Sequence, residues 1–300
     1  MTDDTTTHDT MLTRFETGRG FIAALDQSGG STPKALQLYG IEPSEYSGDE
    51  RMFDLIHAER VRIMTDPAFT SERILAAILF EDTLGRRIEG KGVADWLWAT
   101  KGIVPLLKID KGLRDEADGV QLMRDIPDLD DLLGRAKEAG ALGTKERSVI
   151  HSADESGIAR IVDQQFDVAD AVLDVGLLPI LEPEVDIHAP DKAAAEALLK
   201  ANILEHLAGL GERKVAVKIS IPSVDDFYAD LIAHPNVARV VALSGGYSRE
   251  EADARLARNH GLIASFSRAL LDGLSAQQSD EEFHATLDAS IAAIYEASLT

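Results

Sequence analysis

The chain contains 300 residues, 45% of them hydrophobic and 27% charged, a balance that suits a folded protein with a sizeable core. Its 30 Lys and Arg face 52 Asp and Glu, leaving a formal charge of −22. That argues against binding nucleic acid or an anionic membrane surface, because both need a basic face. The absence of Cys excludes disulfides, thiolate nucleophiles, Cys-ligated zinc and iron–sulfur clusters.

No apolar run approaches the ~18–20 residues of a membrane span. The first ten residues have neither a basic start nor an apolar stretch, so no signal peptide is expected and a cytoplasmic location is. Short apolar, strand-like runs fall at 20–26, 74–80, 103–109, 148–150, 177–181, 215–219, 240–243 and 262–264. Longer helical patterns separate these eight runs, which is the signature of a parallel α/β sheet. In the first connection, 49–65 carries Met52, Leu55, Ile56, Glu59 and Ile63 at helical spacing. Residues 191–210, rich in Ala and Leu and closed by Gly209 and Gly211, read as a helix with its stop. Ser248 with Glu251 and Ser279 with Glu282 have the spacing of capping boxes. No linker divides the chain. The expectation is a single (β/α)8 TIM barrel over 1–300, with 1–18 as an N-terminal extension; a doubly wound open sheet is the alternative.

Charged residues sit at or just past the ends of these runs: Asp26, Glu81, Lys108 with Asp110, Glu182 with Glu184, and Lys218. In a barrel those ends meet at one mouth, where the loops build the site. Lys218 lies inside Val215-Ala216-Val217-Lys218-Ile219-Ser220-Ile221, and burying an isolated ammonium is expensive. An ordinary lysine, of pKa ~10.4, is an uncharged nucleophile about once in a few thousand at neutral pH. Desolvation or a neighbouring cation raises that fraction, and a neutral amine can then form a Schiff base with a carbonyl. The competing reading is a structural lysine paired to a barrel carboxylate such as Glu184. Glu182 and Glu184, two residues apart on an extended chain, would face one side, where the charge of one could keep the other protonated for acid–base work. Otherwise they are solvated loop glutamates. Ser244-Gly245-Gly246 follows the seventh run and Ser267-Arg268 the eighth, the places where barrels of this kind cradle a phosphate; a Ser-Gly-Gly turn also occurs with no ligand. The eight His show no His-x-His or His-x-x-x-His spacing, and there is no Walker loop or Gly-x-Gly-x-x-Gly, so no metal and no cofactor is expected. Trp96 and Trp98 read as packing residues.

Several of these segments together resemble class I fructose-bisphosphate aldolase, of the short bacterial type: Ala24 to Ser31, Ile78 to Leu84, Leu107 to Gly112, Thr144 to Arg147, Pro179 to Glu184, Leu243 to Gly246 and Ser265 to Arg268. They run in the family's order from about residue 20 to 270. The resemblance implies a (β/α)8 barrel and reversible, metal-independent cleavage of fructose 1,6-bisphosphate to dihydroxyacetone phosphate and glyceraldehyde 3-phosphate. It implies Lys218 as the Schiff-base lysine and Glu182 as the proton shuttle in carbinolamine dehydration. Asp26 would handle the hydroxyl proton beside the cleaved bond. Lys145 would be the cation that helps keep Lys218 unprotonated, and Glu184 would orient the lysines. Ser244, Gly245, Ser267 and Arg268 match the site of the phosphate beside the ketone; Ser31, Lys34, Lys108 and Arg147 match the other phosphate.

The chain departs from that pattern in four places. Gln27 stands where the animal enzymes carry Glu, Ala35 follows Lys34 where the family has Arg, and Ser267 replaces a glycine. The animal-type tail with its catalytic tyrosine has no counterpart, and Tyr295 falls in a helical pattern. The mouth would still gather six cations, enough to capture a bisphosphate locally despite the net charge of −22. The expected partner is a sugar bisphosphate, with neither nucleic acid nor membrane, and a homo-oligomer is a further expectation. A lysine-dependent aldolase for tagatose or sedoheptulose bisphosphate, or a catalytically silent phosphosugar-binding barrel, are the competing functions.

Overall fold

The computed structural model describes residues 2–28 and 30–300. Eight parallel strands form its centre: β1 (Phe21–Leu25), β2 (Ile74–Leu79), β3 (Val104–Lys108), β4 (Gly143–Ile150), β5 (Leu178–Val185), β6 (Val215–Ser220), β7 (Val237–Leu243) and β8 (Ile263–Phe266). Neighbours run β3-β2-β1-β8-β7-β6-β5-β4, and β4 pairs back onto β3. The sheet therefore closes on itself, and the expected (β/α)8 barrel is what the chain forms.

Period-two alternation divides the strand residues between two cores. Ile22, Ala24, Ala76, Ile78, Val104, Leu106, Leu178, Ile180, Ala216 and Ile263 pack together inside the barrel. Phe21, Ala23, Leu25, Leu79, Leu107, Leu181, Val217, Ile219, Ala264 and Phe266 belong to the larger layer under the helices. Burial on both faces explains the near-continuous apolar runs. The helix Thr2–Thr17 joins the inner core through Met11 and Phe15, both buried. Arg14 reaches back to the carbonyl of Ser71, and Arg239 to that of Gly18 at 3.1 Å, so this helix seals the N-terminal floor and leaves the opposite mouth open.

Two strand boundaries differ from the sequence reading. β4 begins at Gly143 and β5 continues to Val185, so Lys145, Arg147, Glu182 and Glu184 stand on strands and not in loops. Hydrophobicity hid these segments because their inward positions are charged. Of the two capping boxes, that at Ser279 is reciprocal. At Ser248 only the hydroxyl caps, since Glu251 is turned to Arg255 at 2.9 Å. Helices Gly48–Thr65 and Lys192–Leu207 lie where expected. Trp96 is buried and Trp98 packs on the inner core.

Gly143 opens β4 where the backbone of β5 passes close by. A Cβ there would lie 2.0 Å from the carbonyl oxygen of Leu178, an overlap only main-chain displacement could relieve. Gly143→Ala is expected to lower stability by about 2–3 kcal/mol, read as a fall in the denaturant midpoint. An unchanged midpoint would show that the barrel wall gives freely there.

Candidate active site

The alternation that builds the inner core also builds the site. After the apolar inward layers, the next inward position of β1 is Asp26, of β3 Lys108, of β5 Glu182 and of β6 Lys218. On β4 the inward pair is Lys145 and Arg147, and on β5 Glu184 follows Glu182. These side chains line a cavity of about 650 Å³ at the barrel mouth, together with Ser31, Lys34, Ser244, Gly245, Ser267 and Arg268. All thirteen residues that the resemblance placed in the site thus face one space, and Asp110 joins them; Glu81, the other strand-end charge, does not line it and pairs with Lys111 and Arg135.

At its base the charges interlock. Glu182 places Oε1 2.9 Å from the Lys218 Nζ and Oε2 2.8 Å from the Lys145 Nζ. Lys145 also lies 2.7 Å from Asp26 Oδ2. Register sets Lys108 directly beside Lys145 on the neighbouring strand, and Asp110 answers both, bonded to Lys108 and 3.9 Å from Lys145. Each of the six is at least nine-tenths buried. Asp110 was visible in the sequence as a strand-end charge. Its place between two adjacent lysines follows only from the β3–β4 register.

Electrostatics favour the charged forms of Asp26, Glu182 and Lys145. Burial pushes the Asp26 and Glu182 carboxyls up, but Lys145 and Lys218 outweigh it and hold both below the usual range. Burial also opposes the Lys145 ammonium; Asp26, Glu182 and Asp110 overcome it and raise its pKa. Lys108 is lowered, by burial first and then by the charge of Lys145. Two expectations change here. Glu182 is held ionised by the lysines and is not kept protonated by Glu184. Nor does Glu184 orient the lysines: it accepts from Arg147 Nε at 2.5 Å, farther up the mouth. The partner of Lys218 is accordingly Glu182, and the charge of Lys145 is already matched by carboxylates.

The phosphate candidates differ in availability. Arg268 and Lys34 are exposed and have no ion pair among the described residues. Lys108 and Arg147 are engaged with Asp110 and Glu184. The Ser31 hydroxyl is bonded to the backbone of Ser28. Gly245 and Gly246 sit at φ +63° and +113°, values that disfavour a Cβ, and a side chain on Gly245 would meet Ile187 at 2.5 Å. The Tyr247 N–H donates to the Ser244 carbonyl at 3.0 Å, closing a turn whose Ser244 and Gly245 line the cavity. Tyr295 lies on the helix Asp280–Ala297, packed against the outer core and away from the cavity. Among the described residues no group of His, Asp and Glu could hold a metal ion. Glu59 is a lining residue the sequence reading placed only in a helix. Burial pushes its carboxyl up to about 7, against the pull of Arg60.

The family model for class I fructose-bisphosphate aldolase, a glycolytic enzyme family, matches residues 8–207. The chain belongs to this family. Residues 8–207 end before Lys218, but full-length relatives extend the likeness. It is 59% identical over 290 residues to fructose-bisphosphate aldolase class 1 of a Synechocystis species, covering 96% of this chain and 97% of that one. With the enzyme of the same name from Clostridium acetobutylicum it shares 56% over 294 residues, 98% and 100% of the two chains. With that from Porphyromonas gingivalis it shares 57% over 280 residues, 93% and 95%. A solved structure of fructose-bisphosphate aldolase from Plasmodium falciparum, in complex with TRAP and a small-molecule inhibitor, matches with a TM-score of 0.70 at 23% identity. It covers 99% of this chain and 95% of that one, a likeness of fold.

Glu146 stands between Lys145 and Arg147 but faces away from the cavity. It is fully buried, and both its carboxyl oxygens lack a hydrogen-bond partner. Burial, then the charge of Asp110, pushes its pKa well above the usual carboxylate range. A raised acid is fully tolerated below its unfolded pKa and weakens the fold as pH rises from there toward the folded value. Glu146→Gln removes that titration. Its stability advantage over the parent is expected to be larger at pH 7 than at pH 5, growing by up to about 1.4 kcal/mol per pH unit. An advantage independent of pH, measured by denaturation at both, would contradict this.

Proposed function

We propose that the chain cleaves fructose 1,6-bisphosphate reversibly to dihydroxyacetone phosphate and glyceraldehyde 3-phosphate, through a Schiff base on Lys218. The observation that carries this reading is the buried bridge in which one carboxylate, Glu182, holds Lys218 with one oxygen and Lys145 with the other.

The three lysines and three carboxylates of the base sum to zero when Lys218 carries its proton. Moving that proton 2.9 Å to Glu182 leaves the sum unchanged, so the amine is freed without creating a net buried charge. The Lys218 nitrogen then attacks the ketone carbon, and one of its two protons passes to the new alkoxide to form the carbinolamine hydroxyl. Glu182 returns the proton to the carbinolamine hydroxyl, water leaves, and a protonated imine forms. Asp26, held ionised by Lys145 and Lys218, accepts the proton of the hydroxyl next to the bond that breaks. The bonding electrons pass into the imine, which acts as electron sink, and glyceraldehyde 3-phosphate departs. Protonation and hydrolysis of the remaining enamine release dihydroxyacetone phosphate. Lys145, with its raised pKa, stays an ammonium throughout and fixes both carboxylates.

Ser244, Gly245, Ser267 and Arg268 take the phosphate beside the ketone, and Ser31, Lys34, Lys108 and Arg147 the distal one. For Lys108 and Arg147 that means sharing with Asp110 and Glu184, so Lys34 and Arg268 supply the first attraction. A silent phosphosugar binder would have no use for the buried Lys145–Glu182–Lys218 bridge. The reading includes a cytoplasmic location and a homo-oligomer; no helix among the described residues is long and apolar enough to cross a membrane.

Borohydride reduction with dihydroxyacetone phosphate, followed by peptide mass mapping, is expected to place a covalent adduct on Lys218, with activity undiminished by a chelator. An adduct elsewhere, or none, would overturn the mechanism. Lys218→Met should abolish cleavage in a folded protein. Arg268→Ala should weaken binding of dihydroxyacetone phosphate by about tenfold or more, and unchanged affinity would remove Arg268 from that role.

A further inference from the structure

Behind the phosphate candidates runs a chain of hydrogen bonds whose direction can be read. Arg60 is 1% exposed. Its Nη1 donates to Thr83 Oγ1 at 2.6 Å, and its Nη2 to the backbone carbonyl of Gln27 at 2.6 Å and to Gln27 Oε1 at 3.2 Å. A guanidinium only donates, so the amide oxygen of Gln27 must be the end turned to it. The amide nitrogen is then fixed on the other side, where Nε2 donates to Ser267 Oγ at 2.8 Å. A serine hydroxyl has one proton and two lone pairs. With a lone pair occupied by Gln27, its proton is directed elsewhere, and among the described residues it reaches no protein acceptor. Ser267 lines the cavity with Ser244, Gly245 and Arg268.

We propose that Gln27 is a positioning residue that holds the Ser267 hydroxyl as a hydrogen-bond donor to the substrate phosphate, with Arg60 setting the polarity of the relay. A phosphate dianion offers only acceptors, so the site supplies a side-chain donor beside the backbone N–H groups of its turns. The proposal rests on the phosphate placement given under the proposed function. It adds that one amide's orientation sets the affinity, a role distinct from contact with substrate.

Gln27→Glu tests it by reversing one hydrogen bond. The carboxylate still satisfies Arg60, but it accepts the Ser267 proton and so withdraws the donor from the cavity. Affinity for inorganic phosphate and for dihydroxyacetone phosphate, measured by calorimetry, should fall about tenfold. Ser267→Ala should lose a similar factor, and the neutral Gln27→Met an intermediate one. In the Ser267→Ala background the Gln27→Glu loss should shrink to about twofold or less, the coupling expected of groups in contact. Full phosphate affinity in Ser267→Ala would overturn the proposal, and that variant suffices should the Gln27 variants not fold. An undiminished Gln27→Glu loss in the Ser267→Ala background would overturn it too. Borohydride trapping of saturating dihydroxyacetone phosphate keeps the two readings separate. A missing Lys218 adduct in the parent enzyme sinks the Schiff-base reading and leaves inorganic phosphate to judge Gln27; an adduct with uncoupled affinities sinks only the Gln27 role.

Discussion

Glu182 holds two lysines apart at the bottom of the barrel mouth, and the rest of the site is arranged around that constraint. A buried carboxylate between two ammonium groups is tolerable only if the local charge sums close to zero. Asp26, and Asp110 together with Lys108, bring the sum there, each drawn from the end of a strand or the loop just past it. The same neutrality that lets six ionisable groups sit at the base of the cavity would, in the proposed mechanism, let a proton pass from Lys218 to Glu182 with no change in net charge. Structural need and chemical use are here one arrangement.

That arrangement depends on the barrel more than on the loops. Closure through β3 and β4 sets Lys108 beside Lys145, and strand alternation carries Glu182 and Lys218 to a level just above the last apolar layer. Below them, Ile180, Ala216 and the other inner side chains exclude water. The helix Thr2–Thr17, seated through Met11 and Phe15, closes the floor. With one end sealed, the lysines are reachable only from the mouth, where Lys34 and Arg268 lie exposed.

Much of this was legible in the sequence because buried parallel strands are apolar on both faces and announce themselves. Lys218 stood out because a charge interrupted such a run. The resemblance supplied Lys145 and Arg147, which hydrophobicity could not, since Thr144-Lys145-Glu146-Arg147 contains no apolar residue to mark a strand. Pairings were beyond reach for a different reason. Whether Glu184 meets a lysine or Arg147, or whether Asp110 serves one lysine or two, is decided by strand register and by loop geometry, and neither leaves a local signal. The sequence named Gln27 and Ser267 as separate departures from the family pattern, while the fold puts them in contact. Glu146 was invisible altogether, an acid turned outward between two inward cations.

The central claim is that Glu182 carries the proton that Lys218 must lose and the carbinolamine must regain. Rapid-quench trapping of the Lys218 adduct in Glu182→Gln measures that step directly, apart from carbon–carbon cleavage and product release. Glutamine keeps the shape but cannot shuttle a proton, so imine formation should slow by about 10²–10⁴-fold. Adduct formation at the parent's rate would contradict the account.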